Sequence, residues 1–307
     1  PPPPPPLFQA EDGIRDDISC LVGSEMCIRD RATPRASHKV SKTHSEVREL
    51  IGAHMDDSDI ENLFEAMSPR YLMETGPHDI VRHHALVGQL KEQLKNSQVP
   101  AFVFEAREEP GQGCWEVIFL AKDRSGLFSD ITGVMALHHI NILSAHIYTW
   151  REGTAVDIFR VTGPLDPIQP DETWKRIKKD LKNAFTGKLS LDYRLSQKAA
   201  PCILSPQKKP SRPPKVMVNN ESSDFFTLIE IFADDHVGLL YRIAHTLFKH
   251  KLDIRIAKIA TKADQIADVF YVRDLEGQKL EDDKQIEEIK QTLIHQLNQK
   301  QTHCQFH

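Results

Sequence analysis

Long apolar runs are missing from this chain, and so is any paired arrangement of cysteines. No stretch approaches the roughly 18 apolar residues that span a bilayer, and the opening lacks the basic and apolar regions of a secretion signal, so neither a membrane protein nor an exported one is expected. The five cysteines, Cys20, Cys27, Cys114, Cys202 and Cys304, show no zinc or disulfide spacing; they read as free thiols of a reducing, cytoplasmic compartment. Catalytic constellations are also scarce. Gly23-Ser24 is not followed by the paired aspartates that would hold magnesium beside a nucleotide. The adjacent pairs His83-His84 and His138-His139 fall in predicted helices, where neighbouring side chains point about 100° apart and cannot share one metal. His78-Asp79 has the wrong order for a His-Asp metal cluster, and Cys114 has no positioned base. No catalytic residue and no metal ligand is assigned. The formal charge of -5 provides no general attraction to nucleic acid or anionic lipid. The lysines between Lys175 and Lys182 are interleaved with acids and read as the wet side of a helix.

What is present is ordinary globular material: 40% hydrophobic and 27% charged residues in 307, enough for two or three domains. Residues 1–34 stand apart. Six prolines lead into Gln9-Ala10-Glu11-Asp12-Gly13-Ile14-Arg15-Asp16 and Glu25-Met26-Cys27-Ile28-Arg29-Asp30-Arg31, a stretch that resembles translated sequencing adapter and is expected to be non-native or disordered. Residues 35–98 turn helical: Val47, Leu50 and Ile51, then Ile60, Leu63, Phe64 and Met67, then Ile80, His84, Val87 and Leu94, with Ser58 and Pro77 as helix starts. From Pro100 strands take over. Residues 195–213, rich in Pro, Lys and Ser, read as a linker between units at 99–194 and 214–307.

Those two units are copies. Asp123 and Asp235, Gly126 and Gly238, Leu127 and Leu239, Ile142 and Ile254, and Leu181 and Leu293 are each 112 positions apart. Asp157, Phe159 and Val161 match Asp268, Phe270 and Val272 at 111, which places a one-residue deletion in a turn. Each copy reads strand, strand, helix, strand, strand, helix, with period-two alternation in the strands and an apolar stripe in the first helix. The fourth strand of each sheet must precede the glycine loop, at residues 101–106 and 216–218. The expected fold is α+β: tandem ferredoxin-like units, each an antiparallel sheet with helices on one face, behind a short helical segment.

A ligand loop is expected at Asp123-Arg124-Ser125-Gly126-Leu127 and again at Asp235-His236-Val237-Gly238-Leu239. Free amides at a helix start attract a carboxylate, and glycine permits close approach. The aspartates can cap the helix or hold the loop. Asn141 and Asp253, at the start of the following strand, offer an acceptor for an ammonium group. The same Asp-x-x-Gly turn also arises for conformational reasons alone; its recurrence in both copies favours a ligand.

At this point a family resemblance enters. The copies resemble ACT domains. Together with Met67-Ser68-Pro69-Arg70-Tyr71-Leu72, Pro77-His78-Asp79-Ile80 and His83-His84, the pair is similar, over roughly residues 44–297, to the C-terminal part of the bifunctional uridylyltransferase and uridylyl-removing enzymes acting on the PII nitrogen-regulatory protein. The resemblance implies a glutamine-sensing regulatory region, without cofactor of its own, serving catalytic domains elsewhere that use magnesium. Two departures stand out: Ser125 and Val237 precede the glycines where many ACT loops have proline, and the copies differ at Arg124 against His236 and Asn141 against Asp253, so the sites need not bind equally. A stand-alone amino-acid-binding protein of ACT repeats, and a structural pairing with empty loops, are the alternatives.

Overall fold

The computed structural model describes residues 34–52, 55–96, 100–198, 213–234, 238–259, 261–262 and 265–298. The adapter-like opening, most of the linker, and Asp235, His236 and Val237 lie outside them. Four helices come first: α1 (Pro34–Ile51), α2 (Asp57–Ala66), α3 (Pro69–Glu74) and α4 (Pro77–Asn96). The start of α2 is Asp56, not Ser58. The short α3 was not anticipated; the Ser68 hydroxyl caps it by accepting from the Tyr71 N–H at 3.2 Å. The buried stripe of α4 is Ile80, His83, Val87 and Leu90, whereas Leu94 and Leu50 are largely exposed. His83 and His84 fit a helical period equally well, and only the partner surface decides which turns inward.

The first copy contains β1 (Phe102–Glu109), β2 (Cys114–Lys122), α5 (Leu127–Leu137), β3 (Ile142–Trp150), β4 (Thr154–Thr162), α6 (Pro170–Phe185) and α7 (Leu191–Lys198). The second contains β5 (Lys215–Asn219), β6 (Thr227–Asp234), α8 (Leu239–Lys249), β7 (Leu252–Lys258), the two-residue β8 (Thr261–Lys262), β9 (Gln265–Asp274) and α9 (Asp283–Asn298). The sheet orders are β1-β2-β4-β3 and β5-β6-β9-β7, all antiparallel, with β8 paired to β9. The first strand of each copy, β1 or β5, therefore fills an edge place, as the repeat predicts. Even a bulge is duplicated: the extra residue is Leu143 in β3 and Arg255 in β7.

The copies lie side by side. Edge strands β3 and β7 abut and helices α5 and α8 pack together, so that a single apolar core runs through both, from Phe119, Ile131 and Phe159 to Ile243, Phe270 and Leu293. Helix α7 straddles the seam: Asp192 accepts from the Tyr241 hydroxyl at 2.7 Å and pairs with His245 at 3.0 Å. The helical segment, for its part, covers the outer face of the first sheet. Tyr71, Ile80 and Leu90 share a core with Ile118, Leu120, Tyr148, Trp150 and Val156, and Arg82 ties α4 to Glu105 (2.9 Å) and Glu116 (2.7 Å). Helices on one face were expected; this sheet is buried on both, because its outward positions are themselves apolar.

Candidate functional site

Both loop glycines have the backbone that the sequence asks for. Gly126 and Gly238 are the N-cap residues of α5 and α8, with φ of +80° and +85°, a left-handed conformation that disfavours any side chain. Neither helix start carries a side-chain cap. Asp123 holds the loop instead: its Oδ2 accepts from Thr149 Oγ1 at 3.0 Å and from Arg255 Nη1 at 3.1 Å. Arg124 turns outward, paired with Asp130 and lying 5.0 Å over the Phe185 ring. The Ser125 hydroxyl is buried without a partner, and Leu127 and Leu239 are core residues.

The two loops open onto two cavities at the seam, and each cavity is completed by the other copy. The first gathers Asp123, Arg124, Gly126 and Leu127 with Asp253, Phe248 and Ala244 of the second copy. The second gathers Gly238 and Leu239 with Asn141, Ala136 and Thr132 of the first copy. The correspondence is a local twofold, in which Phe248 faces Gly126 as Ala136 faces Gly238. Asn141 and Asp253 thus serve the loop of the opposite repeat, a crossing that a linear pattern cannot show. Each cavity encloses about 20 Å³, room for about one water.

The two repeated sheets, with their glycine-opened helices and with pockets lined from both copies, lie in stretches that match known domains. Residues 115–178 match the ACT domain family, and residues 215–302 match the ACR9-like, ACT-like domain. The chain carries an ACT domain followed by an ACT-like domain, the two ACT units of this fold. Similar proteins include the bifunctional uridylyltransferase/uridylyl-removing enzymes of Rhodospirillum rubrum, 34% identical over 190 residues, and Novosphingobium aromaticivorans, 35% identical over 192. Each of these alignments takes in 62% of this chain. The enzyme of the same name from Gluconobacter oxydans is 28% identical over 267 residues, 87% of this chain. The chain spans only 20 to 28% of the length of these relatives.

The two ACT pockets also contain residues that the sequence argument passed over. Asp157 of the first ACT domain and Asp268 of the second line the two cavities at equivalent places and are each 1% exposed. The signal was available: a carboxylate on the inward face of an apolar strand, twice. Burial, with the charge of Asp123 behind it, raises the pKa of Asp157 well above the usual carboxylate range. Asp253 is also raised, by burial and by Asp123, against the pull of Arg255, whose Nη2 lies 2.6 Å away. Arg255, the bulged residue of β7, so links the acids of both ACT domains at the mouth of the first pocket. Among the described residues no three His, Cys, Asp or Glu side chains gather as a metal site, and no helix is long and apolar enough to cross a membrane.

Proposed function

We propose that this chain is the amino-acid-sensing regulatory region of a bifunctional uridylyltransferase/uridylyl-removing enzyme, that glutamine is its ligand, and that it sets the balance between uridylylating and deuridylylating the PII protein in the cytoplasm. Magnesium chemistry would belong to catalytic domains beyond these residues. The observation that carries the reading is the crossing of the pockets: a ligand at either loop touches both ACT domains, so its affinity differs between packings of the pair. Only such a difference can bias an enzyme between two states. An uncapped helix start suits the ligand's α-carboxylate, and Asp253 or Asn141 suits its ammonium group.

The route outward supports the same reading. Along β3, Ile147 and Thr149 face the first pocket, while Tyr148 and Trp150 face the helical layer. The Tyr148 hydroxyl donates to Glu74 at 2.7 Å. Burial alone would raise the Glu74 pKa, but His146, Arg70 and Tyr148 together hold it down to about 2. Movement of one strand is therefore felt by both pocket and layer.

Calorimetric titration of glutamine into the chain tests the proposal. Heat from saturable binding is expected, with Gly126→Leu removing the site at the first loop and Gly238→Leu the site at the second. Glutamine affinity unchanged in both variants would remove the loops from the account.

A further inference from the structure

Asp157 is the anomaly of the first pocket. It stands on β4 in register with Phe119 and Ile147, on the face that Ala155, Phe159 and Val161 give to the core. Its Oδ1 is buried with no hydrogen-bond partner, and the residue lines the cavity under the Gly126 loop. A buried, unsatisfied carboxyl weakens a fold, and a valine at this place in the strand would pack without that cost. The arrangement makes sense when the missing partner comes from outside the chain.

The chemistry of that partner follows from the depth and state of the group. Charged ends of an amino acid are served at the mouth, by the open helix start and by Asp253. Asp157 lies at the apolar floor, beside Ile147, Ala155 and Phe128, where a side chain would reach. Burial and the charge of Asp123 raise its pKa and so favour the protonated form. A protonated carboxyl presents one O–H donor next to one carbonyl acceptor. A primary carboxamide presents the complement, a carbonyl acceptor next to an N–H donor. A carboxylate offers no donor, and it would bring a further negative charge close to Asp123 and Asp253.

We propose that Asp157 is the specificity-determining residue of the first pocket, pairing through two hydrogen bonds with the side-chain carboxamide of a bound amino acid. The inference rests on the amino-acid-sensing reading and deepens it, since it selects glutamine over glutamate by a named group.

The test is calorimetry on the full chain with glutamine and glutamate, together with thermal melting of each variant. Wild type should prefer glutamine by at least tenfold. Asp157→Asn, which keeps a donor beside an acceptor, should hold glutamine to within about threefold of wild type. Asp157→Val should lose at least tenfold at the first site and melt at a higher temperature than wild type, a combination that a merely structural residue does not give. Equal affinity of wild type for glutamine and glutamate overturns the inference and leaves the sensing reading in place. So does loss of glutamine in Asp157→Asn as large as in Asp157→Val, which would mean that the charge was what mattered. Wild type that binds no amino acid at all overturns both.

Discussion

The two pockets share a backbone and part of their lining, with Leu127 and Leu239, Asp157 and Asp268, and Ile254 and Ile142 alike, and they differ at the residue facing the glycine and at the acceptor from the opposite copy. Both have a left-handed glycine, a bulged edge strand and an inward aspartate. In the first pocket, however, Phe248 presses on Gly126, with ring carbons 3.0 to 3.2 Å from where a Cβ would sit, whereas Ala136 stands 3.8 Å from the same point at Gly238. Asp253 and Arg255 at the first become Asn141 and Leu143 at the second. Duplication has kept what the chain needs in order to fold and has released what a site needs in order to choose. A difference in function between the pockets then resides in these side chains and in what backs each sheet. The first sheet is also backed by a helical layer, so that its pocket is the one whose strand β3 touches a third element.

The largest effect that can sharpen this comparison comes from that layer. Tyr71 is fully buried, its hydroxyl 2.7 Å from His83 Nδ1 and its ring edge-on to Tyr148 and Trp150. Tyr71→Ala should cost about 3 to 5 kcal/mol, the range for emptying a large aromatic site. Differential scanning calorimetry should show the loss in an early transition of the helical layer, ahead of the ACT pair. A single transition displaced as a whole would show that layer and pair melt together, and the contrast between the copies would lose its mechanical basis.

A smaller effect separates the pockets by pH. The folded-state pKa of Asp157 is raised above its ordinary value of 3.8 by burial and by Asp123. The native state therefore keeps a proton that the unfolded chain releases, and stability falls as pH rises from about 4 toward the folded pKa. Asp123, Arg124 and Asp253 line the same cavity, and Arg255 pairs with both of these aspartates. Asp157→Asn should be more stable than wild type by roughly 1 to 3 kcal/mol near pH 7, with the gain vanishing below about pH 4. Urea melts across that interval check it; a gain independent of pH would mean that the carboxyl titrates normally.

Much of this was open to inspection in the sequence, and the rest was hidden for definable reasons. The duplicated strand-helix order, the left-handed glycines and the first strand of each copy follow from local pattern, which spacing and residue type report directly. The inward turn of His83 in place of His84, and the burial of the first sheet's outer face, depend on which surface lies opposite. The crossing of Asn141 and Asp253 into each other's pockets is a property of how two copies dock, and no single repeat encodes it. Asp157 was visible as a residue but was read as part of the core pattern, because its neighbours Phe159 and Val161 are. An acid that alternates with apolar residues is informative for being out of place, and that becomes legible once its missing partner can be seen.

The mildest test converts one pocket toward the other. Arg255→Leu gives β7 the residue that β3 has at the same bulge. Arg255 is 38% exposed and its acids Asp123 and Asp253 are 23% and 20% exposed, so solvent screens the pairs. The expected loss of stability is below about 1 kcal/mol, and it should shrink further near 1 M salt, where the screening length is about 3 Å. The consequence for binding is more telling than the stability change. Without the guanidinium, Asp123 and Asp253 lose the cation that pairs with both of them, so an ammonium-bearing ligand should gain there while an additional carboxylate loses. Glutamate affinity at the first site should therefore fall relative to glutamine, by a factor that diminishes with added salt. If the ratio stays fixed while the loss of stability appears as expected, Arg255 serves only to fasten the two ACT domains, and charge at the mouth plays no part in how the pockets came to differ.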